Sequence, residues 1–131
     1  MPVLDDLPRA EVKEMMRVYV AGPMRGYPAF NFPAFFEAAE RLTALGWDVT
    51  NPAAMDMECD GFDPTKDAAR DEPFYMRRDL PAVLGCDAIA LLPGWQHSSG
   101  ATKELVVALW GGLQVLDALT GEPLTSEGAR A

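Results

Sequence analysis

Four short apolar runs recur along this chain, and a segment with helical spacing precedes each of the later three. The runs are RVYVAG (17–22), WDVTNP (47–52), DAIALLP (87–93) and LQVLDAL (113–119). Between them the sequence predicts helices over 32–45, about 73–85 and 98–112. Strands that alternate with helices form parallel sheets through right-handed crossovers. We therefore expect an α/β fold with a doubly wound, flavodoxin-like or Rossmann-like sheet, mainly parallel, of four to five strands flanked by helices.

Residues at the ends of these segments give more detail. Asn31 is a candidate N-cap of the first helix, and Gly46 follows that helix. Residues 53–72 carry seven acidic side chains without a sustained period, which predicts a long loop or short irregular helices. The helix over 98–112 has an apolar face at helical spacing. This face consists of Ala101, Leu105, Ala108 and Leu109.

The length of 131 residues is enough for one hydrophobic core. We expect a single domain over 17–119, between a polar leader (1–16) and a polar tail (120–131). Acidic residues number 20 against 11 basic ones, a net charge of −9. Such a charge repels phosphate backbones and anionic membranes, so it argues against polymeric nucleic acid and membrane partners. A small anionic ligand stays possible, because a few local donors outweigh a distant, screened field.

The sequence also bears on compartment and metals. Cys59 and Cys86 form no close pair, and with the single His97 they do not make a convincing zinc set. The first residues lack the basic start and apolar centre of a signal peptide. No apolar stretch approaches the length of about 20 residues that spans a bilayer. We therefore expect a cytoplasmic protein with reduced thiols and with neither metal nor cofactor.

Ligands of parallel α/β sheets bind beyond the carboxyl ends of the strands. The loops at those ends are 21–31, the segment after Asn51, and 93–101, so polar residues there are the candidates for function. In the first loop, GPMRG, Arg25 and the nearby backbone of Gly22, Met24 and Gly26 could hold an anion. In the third loop, hydroxyl and N–H groups at a helix start could do the same. These groups belong to Ser98, Ser99 and Gly100.

Two carboxylates are candidates for catalysis. Glu104 follows the Ser-Ser-Gly start of a helix, and it is either a helix-start carboxylate favoured by the macrodipole or a functional group one turn inside the helix. Asp79 in YMRRDLPAVL is either an exposed partner of Arg77 or Arg78, or a second functional carboxyl. Two carboxyl groups from different helices that meet at one ligand can act as nucleophile and general acid on a glycosidic bond.

Other motifs are weaker. DMECDGFDPTKD (56–67) partly imitates a calcium loop through Asp56, Asp60 and Gly61, but Glu58 and Asp67 depart from that pattern. His97 could contact the same anion as the serines, or it could simply be solvated. The aromatic residues between 27 and 36 suit a core and a lid, and some could stack on a base.

Four motifs in order resemble the nucleoside 2-deoxyribosyltransferase superfamily over about residues 17–117. They are VYVAGPMRG, RRDL, DAIALLPGW and SSGATKELVVA. The resemblance is strongest to small members found in phages and bacteria and to 2′-deoxynucleoside 5′-phosphate N-hydrolases. It implies that Glu104 is the nucleophile that attacks the anomeric carbon, that Tyr19 orients Glu104, and that Asp79 protonates the departing base.

The same resemblance bears on the substrate. Transferases of free nucleosides tend to have Asp six residues before the nucleophile, whereas the monophosphate hydrolases have Ser, and this chain has Ser98. A hydroxyl accepts a phosphate as a neighbour where a carboxylate would repel it. Arg25 matches an Arg-Gly of the hydrolases. Pro23 replaces a phosphate-binding Ser, and Val106 replaces a common Gly, which could narrow the pocket.

The sequence therefore favours an N-glycosidase that hydrolyses a (deoxy)nucleoside 5′-monophosphate through a covalent glycosyl-Glu intermediate. Deoxyribosyl transfer between bases and a non-catalytic nucleotide sensor remain alternatives. A phosphoribohydrolase is a poorer match, since Pro93-Gly94 and Gly100 lie too far apart for its signature. Relatives in the resembled superfamily are commonly oligomeric, which implies a homo-oligomer. Neither the base nor the choice between ribose and deoxyribose follows from the residues.

Overall fold

A computed structural model describes residues 16–124 of the chain. Its strands are β1 (Arg17–Ala21), β2 (Asp48–Thr50), β3 (Ala88–Leu91) and β4 (Gln114–Asp117). Its α-helices are α1 (Phe32–Ala44), α2 (Pro52–Asp60), α3 (Glu72–Leu84) and α4 (Ser99–Trp110), and two short 3-10 helices cover Pro28–Asn31 and Trp95–His97. The predicted leader (1–16) lies outside the described residues except for Met16, as does the predicted tail beyond residue 124.

The four strands form one sheet in the order β2-β1-β3-β4, and every neighbouring pair is parallel. The expected doubly wound α/β fold is therefore confirmed. From β1 the chain runs outward to β2 at one edge of the sheet, and it then returns to β3 on the other side of β1. The direction in which strands are added therefore reverses between β1 and β3. A crevice opens at such a point beyond the carboxyl ends of the two strands.

The central strand β1 is buried on both faces, and the pleat divides its side chains between two cores. Val18 and Val20 pack with α1 and α2, whereas Tyr19 and Ala21 pack with α3 and α4. Successive side chains of a strand point to opposite faces, so this division follows directly from the sequence order. It places the Tyr19 ring on the α4 side of the sheet.

The residues that precede α1 and α2 differ in how they begin the helix. Residues 52–60 form a regular helix, α2, whose first turn is capped by the Asn51 side chain. The predicted long loop or short irregular helices over 53–72 are therefore wrong for 53–60. Asn31 occupies the N-cap position of α1, as predicted, but its side chain makes no capping hydrogen bond. Its φ is 61°, and its side chain donates a hydrogen bond to the Pro23 carbonyl oxygen at 2.9 Å instead. Ala29 and Phe30 also have positive φ. These three residues hold the β1–α1 loop in a tight, unusual conformation.

The apolar face predicted for α4 is mostly confirmed. Ala101, Leu105 and Ala108 are buried, but Leu109 is 56% exposed. After β4, the chain turns back so that Leu116 and Pro123 form an isolated antiparallel bridge. Within residues 16–124, no helix has both the length and the apolar character needed to cross a membrane.

A close approach at Gly22 gives a prediction about stability. A Cβ at this position would lie 2.7 Å from the Leu92 Cβ, whereas a Cβ at Gly85 would find its nearest neighbour at 3.5 Å. We expect Gly22→Ala to lower the free energy of unfolding by about 1–3 kcal/mol through overpacking. Gly85→Ala should change it little. Urea unfolding of both variants measures the difference, and similar stabilities would contradict this packing.

Candidate functional site

A cavity of about 340 Å³ opens beyond the carboxyl ends of β1 and β3. Its walls come from the β1–α1 loop, from α2 and α3, and from the start of α4. The cavity therefore lies at the place that the strand order predicts. Among its lining residues are Glu104 from α4 and Asp79 from α3.

Glu104 is buried, with only 5% of its surface exposed. It lies inside α4, whose first turn is capped by Ser98: the Ser98 Oγ accepts a hydrogen bond from the Ala101 N–H at 3.1 Å. The hydroxyl of Tyr19, itself fully buried on β1, donates a hydrogen bond to Glu104 Oε2. A carboxylate held only by the macrodipole needs no buried partner, so this geometry favours the interpretation of Glu104 as a functional group inside the helix.

Burial changes the chemistry of this carboxyl group. It raises the pKa of Glu104 from 4.5 to about 8, the hydrogen bond from Tyr19 opposes that rise, and the negative charge of Asp79 adds to it. Burial also raises the pKa of the Tyr19 hydroxyl, which stays protonated as a donor. A perturbed carboxyl at the wall of a cavity is typical of functional sites.

Asp79 is also buried, with 5% of its surface exposed. Its Oδ1 accepts a hydrogen bond from Arg78 Nε at 2.8 Å. Burial raises the pKa of Asp79, and Arg78 opposes that rise. Of the two arginines that the sequence offered as partners, the structure therefore pairs Arg78 with Asp79.

The guanidinium of Arg78 connects α3 to α2. Its Nη2 lies 2.6 Å from Asp56 Oδ1, and its Nη1 lies 3.2 Å from Asp60 Oδ2. Burial raises the pKa of Asp56, whereas the hydrogen bond and charge of Arg78 lower it. Because both aspartates lie on a regular helix and bind Arg78, the calcium-loop interpretation is wrong. No cluster among residues 16–124 brings together enough His, Cys, Asp or Glu side chains to hold a metal ion.

The start of α4 and the β1–α1 loop form the remaining polar wall. The predicted residues Gly22, Met24, Arg25, Ser98, Ser99 and Gly100 all line the cavity, as does His97. Gly26 does not line it, and Tyr19 reaches it only through Glu104. The Arg25 guanidinium donates to the Arg70 carbonyl oxygen and lies 5.8 Å from the centre of the Tyr75 ring.

Part of the cavity wall was predicted only as a segment, and one residue was predicted in the wrong place. Asp56 lies in the candidate segment after Asn51 and lines the cavity with Phe62 and Tyr75, although no spacing rule connected these three residues to Glu104. The only available signal was their position in segments that follow β2. Val106, expected to narrow the pocket, is 45% exposed and is not among the lining residues. It follows Glu104 by two positions and so points to another side of the helix.

The described residues thus form a parallel α/β domain with two buried carboxyl groups at a cavity beyond its strands. Residues 16–117 match the family model described as Domain of unknown function (DUF4406), so the chain belongs to that family. None of the curated proteins compared with the chain matches it.

The raised pKa of Glu104 predicts a pH-dependent stability. The unfolded carboxyl loses its proton near pH 4.5, whereas the folded one keeps it up to about pH 8. The folded state therefore binds more protons in this range, and stability falls as the pH rises through it. At about 1.4 kcal/mol per pKa unit, the loss is on the order of 5 kcal/mol.

The Glu104→Gln variant cannot titrate at this position. We expect its free energy of unfolding, from urea titrations between about pH 5 and pH 8, to depend less on pH and to exceed that of the wild type at the upper end. Glu40→Gln, at an exposed position on α1, should keep the wild-type slope. Equal slopes for Glu104→Gln and the wild type would refute a raised pKa.

Proposed function

We propose that the protein is an N-glycosidase that hydrolyses the base–sugar bond of a (deoxy)nucleoside 5′-monophosphate. One observation supports this proposal above all: the buried Glu104 receives a hydrogen bond from Tyr19 and lines the same cavity as Asp79. Two carboxyl groups at one cavity suit nucleophilic attack at one side of a glycosidic carbon and protonation of the leaving group at the other. We also propose that the protein is related to the nucleoside 2-deoxyribosyltransferase superfamily. The support is the order of four sequence motifs, VYVAGPMRG, RRDL, DAIALLPGW and SSGATKELVVA.

In the first step, a carboxylate oxygen of Glu104 attacks the anomeric carbon and forms an ester. The carbon–nitrogen bond breaks, its electron pair goes to the base, and Asp79 gives the base a proton. In the second step, Asp79 accepts a proton from water, whose oxygen attacks the same carbon and releases Glu104. The Tyr19 hydroxyl holds the orientation of the carboxylate throughout both steps.

The titrations of the two carboxyl groups are coupled, because the charge of Asp79 raises the pKa of Glu104. The reactive form has Glu104 ionised and Asp79 protonated. Burial raises the pKa of both groups, so one proton shared between them is favoured over two charges. A bound substrate excludes water from the site and accepts a hydrogen bond from protonated Asp79. Its binding therefore favours the reactive form.

The phosphate is proposed to lie at the start of α4. Ser98 and Ser99 supply hydroxyl groups there, and the first N–H groups of the helix favour an anion. Arg25 lines the same cavity and supplies positive charge. A sugar bound between this end and Glu104 would present its anomeric carbon to the carboxylate.

Two alternatives share the same cavity. Deoxyribosyl transfer needs only that a second base replaces water in the second step. A non-catalytic nucleotide sensor is supported by the pKa of about 8, which leaves Glu104 mainly protonated in the free site at neutral pH. We also keep the proposal of a homo-oligomer, supported by the exposed Leu109 and Trp110 on α4.

Release of free base from a panel of nucleoside 5′-monophosphates tests the proposed function. We expect Glu104→Gln to lower kcat/KM by at least about a thousandfold, since loss of a nucleophile acts on this scale in other covalent enzymes. The exposed Glu40→Gln should retain wild-type activity. Exchange with an added free base would indicate transfer, and tight binding without base release in the wild type would indicate a sensor.

Ser98→Asp tests the phosphate end separately. Asp is as good an N-cap as Ser, so α4 should keep its start, but the new carboxylate would repel a phosphate. We expect kcat/KM for the monophosphate to fall at least about tenfold more than for the matching nucleoside. Ser98→Ala removes the hydroxyl without adding charge. The difference between its losses of kcat/KM on the monophosphate and on the nucleoside should therefore be smaller. Equal losses on both substrates would place the phosphate elsewhere.

A further inference from the structure

The strand order separates two ends of the cavity. Ser98 follows β3, whereas Pro52 and Asp56 follow β2, and β1 lies between those two strands. If the phosphate of the proposed substrate lies at Ser98 and the sugar at Glu104, the base extends towards α2. The residues at the α2 end then decide which base is accepted.

Aromatic rings line this end. Phe30 and Phe62 pack edge to face with centroids 5.4 Å apart, and Phe32 lies 6.0 Å from Phe62. All three rings line the cavity. The flat, apolar face of a nucleobase packs well against such rings.

One polar group, Asp56, lies beside these rings. It is 3% exposed and lines the cavity, and its backbone oxygen accepts a hydrogen bond from the Phe62 N–H at 3.1 Å. Its carboxylate Oδ1 is held by Arg78 Nη2 at 2.6 Å. Despite this ion pair, Oδ1 is a buried oxygen without a hydrogen-bond partner among the described residues. The Asp56 carboxylate therefore keeps capacity to accept a hydrogen bond from a ligand.

The same guanidinium fixes Asp56 relative to the proposed acid. Arg78 Nε contacts Asp79 at 2.8 Å while Nη2 contacts Asp56. A base held at Asp56 would therefore also be held near Asp79. This arrangement connects recognition of the base to its protonation.

We infer that the α2 end is the base subsite and that Asp56 selects bases with an exocyclic amino group over those with a carbonyl at the same position. The inference rests on the proposed function. An amino group donates to the carboxylate, whereas a carbonyl would place two acceptors together in a cavity shielded from water. A buried acceptor without a donor is costly, so the discrimination should be large.

Two matched pairs of nucleotides measure this preference directly. Deoxycytidine and deoxyuridine monophosphates differ by an amino group against a carbonyl at one ring position, with an acceptor against an N–H at the neighbouring ring nitrogen. Deoxyadenosine and deoxyinosine monophosphates differ in the same way. We expect the amino member of each pair to bind at least about tenfold more tightly by calorimetry. The measurement uses the intact chain with Glu104→Gln, so that neither hydrolysis nor its absence affects the result.

A comparison of Asp56→Asn with Asp60→Asn distinguishes an effect on base selection from a loss of the contacts between α2 and Arg78. Both remove a carboxylate that binds Arg78, but Asp60 is not among the lining residues. The amide of Asn can donate to a carbonyl, so Asp56→Asn should bring the ratio within each pair close to one or reverse it. Asp60→Asn should leave the ratio unchanged.

The outcomes distinguish this inference from the proposed function. Equal binding within both pairs, or the same change of ratio in both variants, would overturn the role of Asp56 even if hydrolysis is observed. Preference for the amino members without base release by the wild-type protein would support the base subsite while overturning the hydrolase. If none of the four nucleotides binds, the inference fails outright, and base release by the wild type then decides the proposed function separately.

Discussion

A carboxyl group removed from water is the central constraint of this molecule. Glu104 is charged only at a cost, and its one direct partner among the described residues, the hydroxyl of Tyr19, is supplied by a buried central strand of the sheet. That hydrogen bond requires α4 to pack against the Tyr19 face of β1, which in turn depends on where α4 begins, after its N-cap Ser98. The cap, the strand pleat and the cavity therefore depend on one another.

Three aspartates beside the cavity depend on one arginine, Arg78, for their charge balance. Arg78 contacts three aspartates, two on α2 and one beside it on α3. Burial alone would lower the pKa of its guanidinium, but Asp79 and Asp56 raise it overall. Since removal of one member of such a group leaves a buried charge without a partner, the cluster holds two helices together as it orients Asp79. In the proposed reaction, structural and chemical requirements coincide at this residue.

Much of the fold was predictable, because local patterns agree with the tertiary environment. RVYVAG and DAIALLP are apolar on both faces, which only a central parallel strand accommodates. The N-cap Ser98 and the apolar positions of α4 likewise lie within one short segment, so local spacing was enough to predict this helix. The position of Asn31 at the N-cap was predicted correctly. Its side-chain bond was not, because a side chain with capping chemistry can equally bond a carbonyl outside the helix, here that of Pro23. Leu109 was mispredicted because helical spacing alone does not determine how wide the buried face is.

The sequence by itself determined the order of strands and helices, the identity of the chemical groups and the loops that carry them, because hydrophobic period and turn residues act over a few neighbours. Only the tertiary structure decided that Tyr19 reaches Glu104 across 85 positions, and that Asp56 and Asp79 share one guanidinium. Burial, and with it the pKa of a carboxyl group, depends on what packs around a side chain from elsewhere in the chain. No local pattern contains that information.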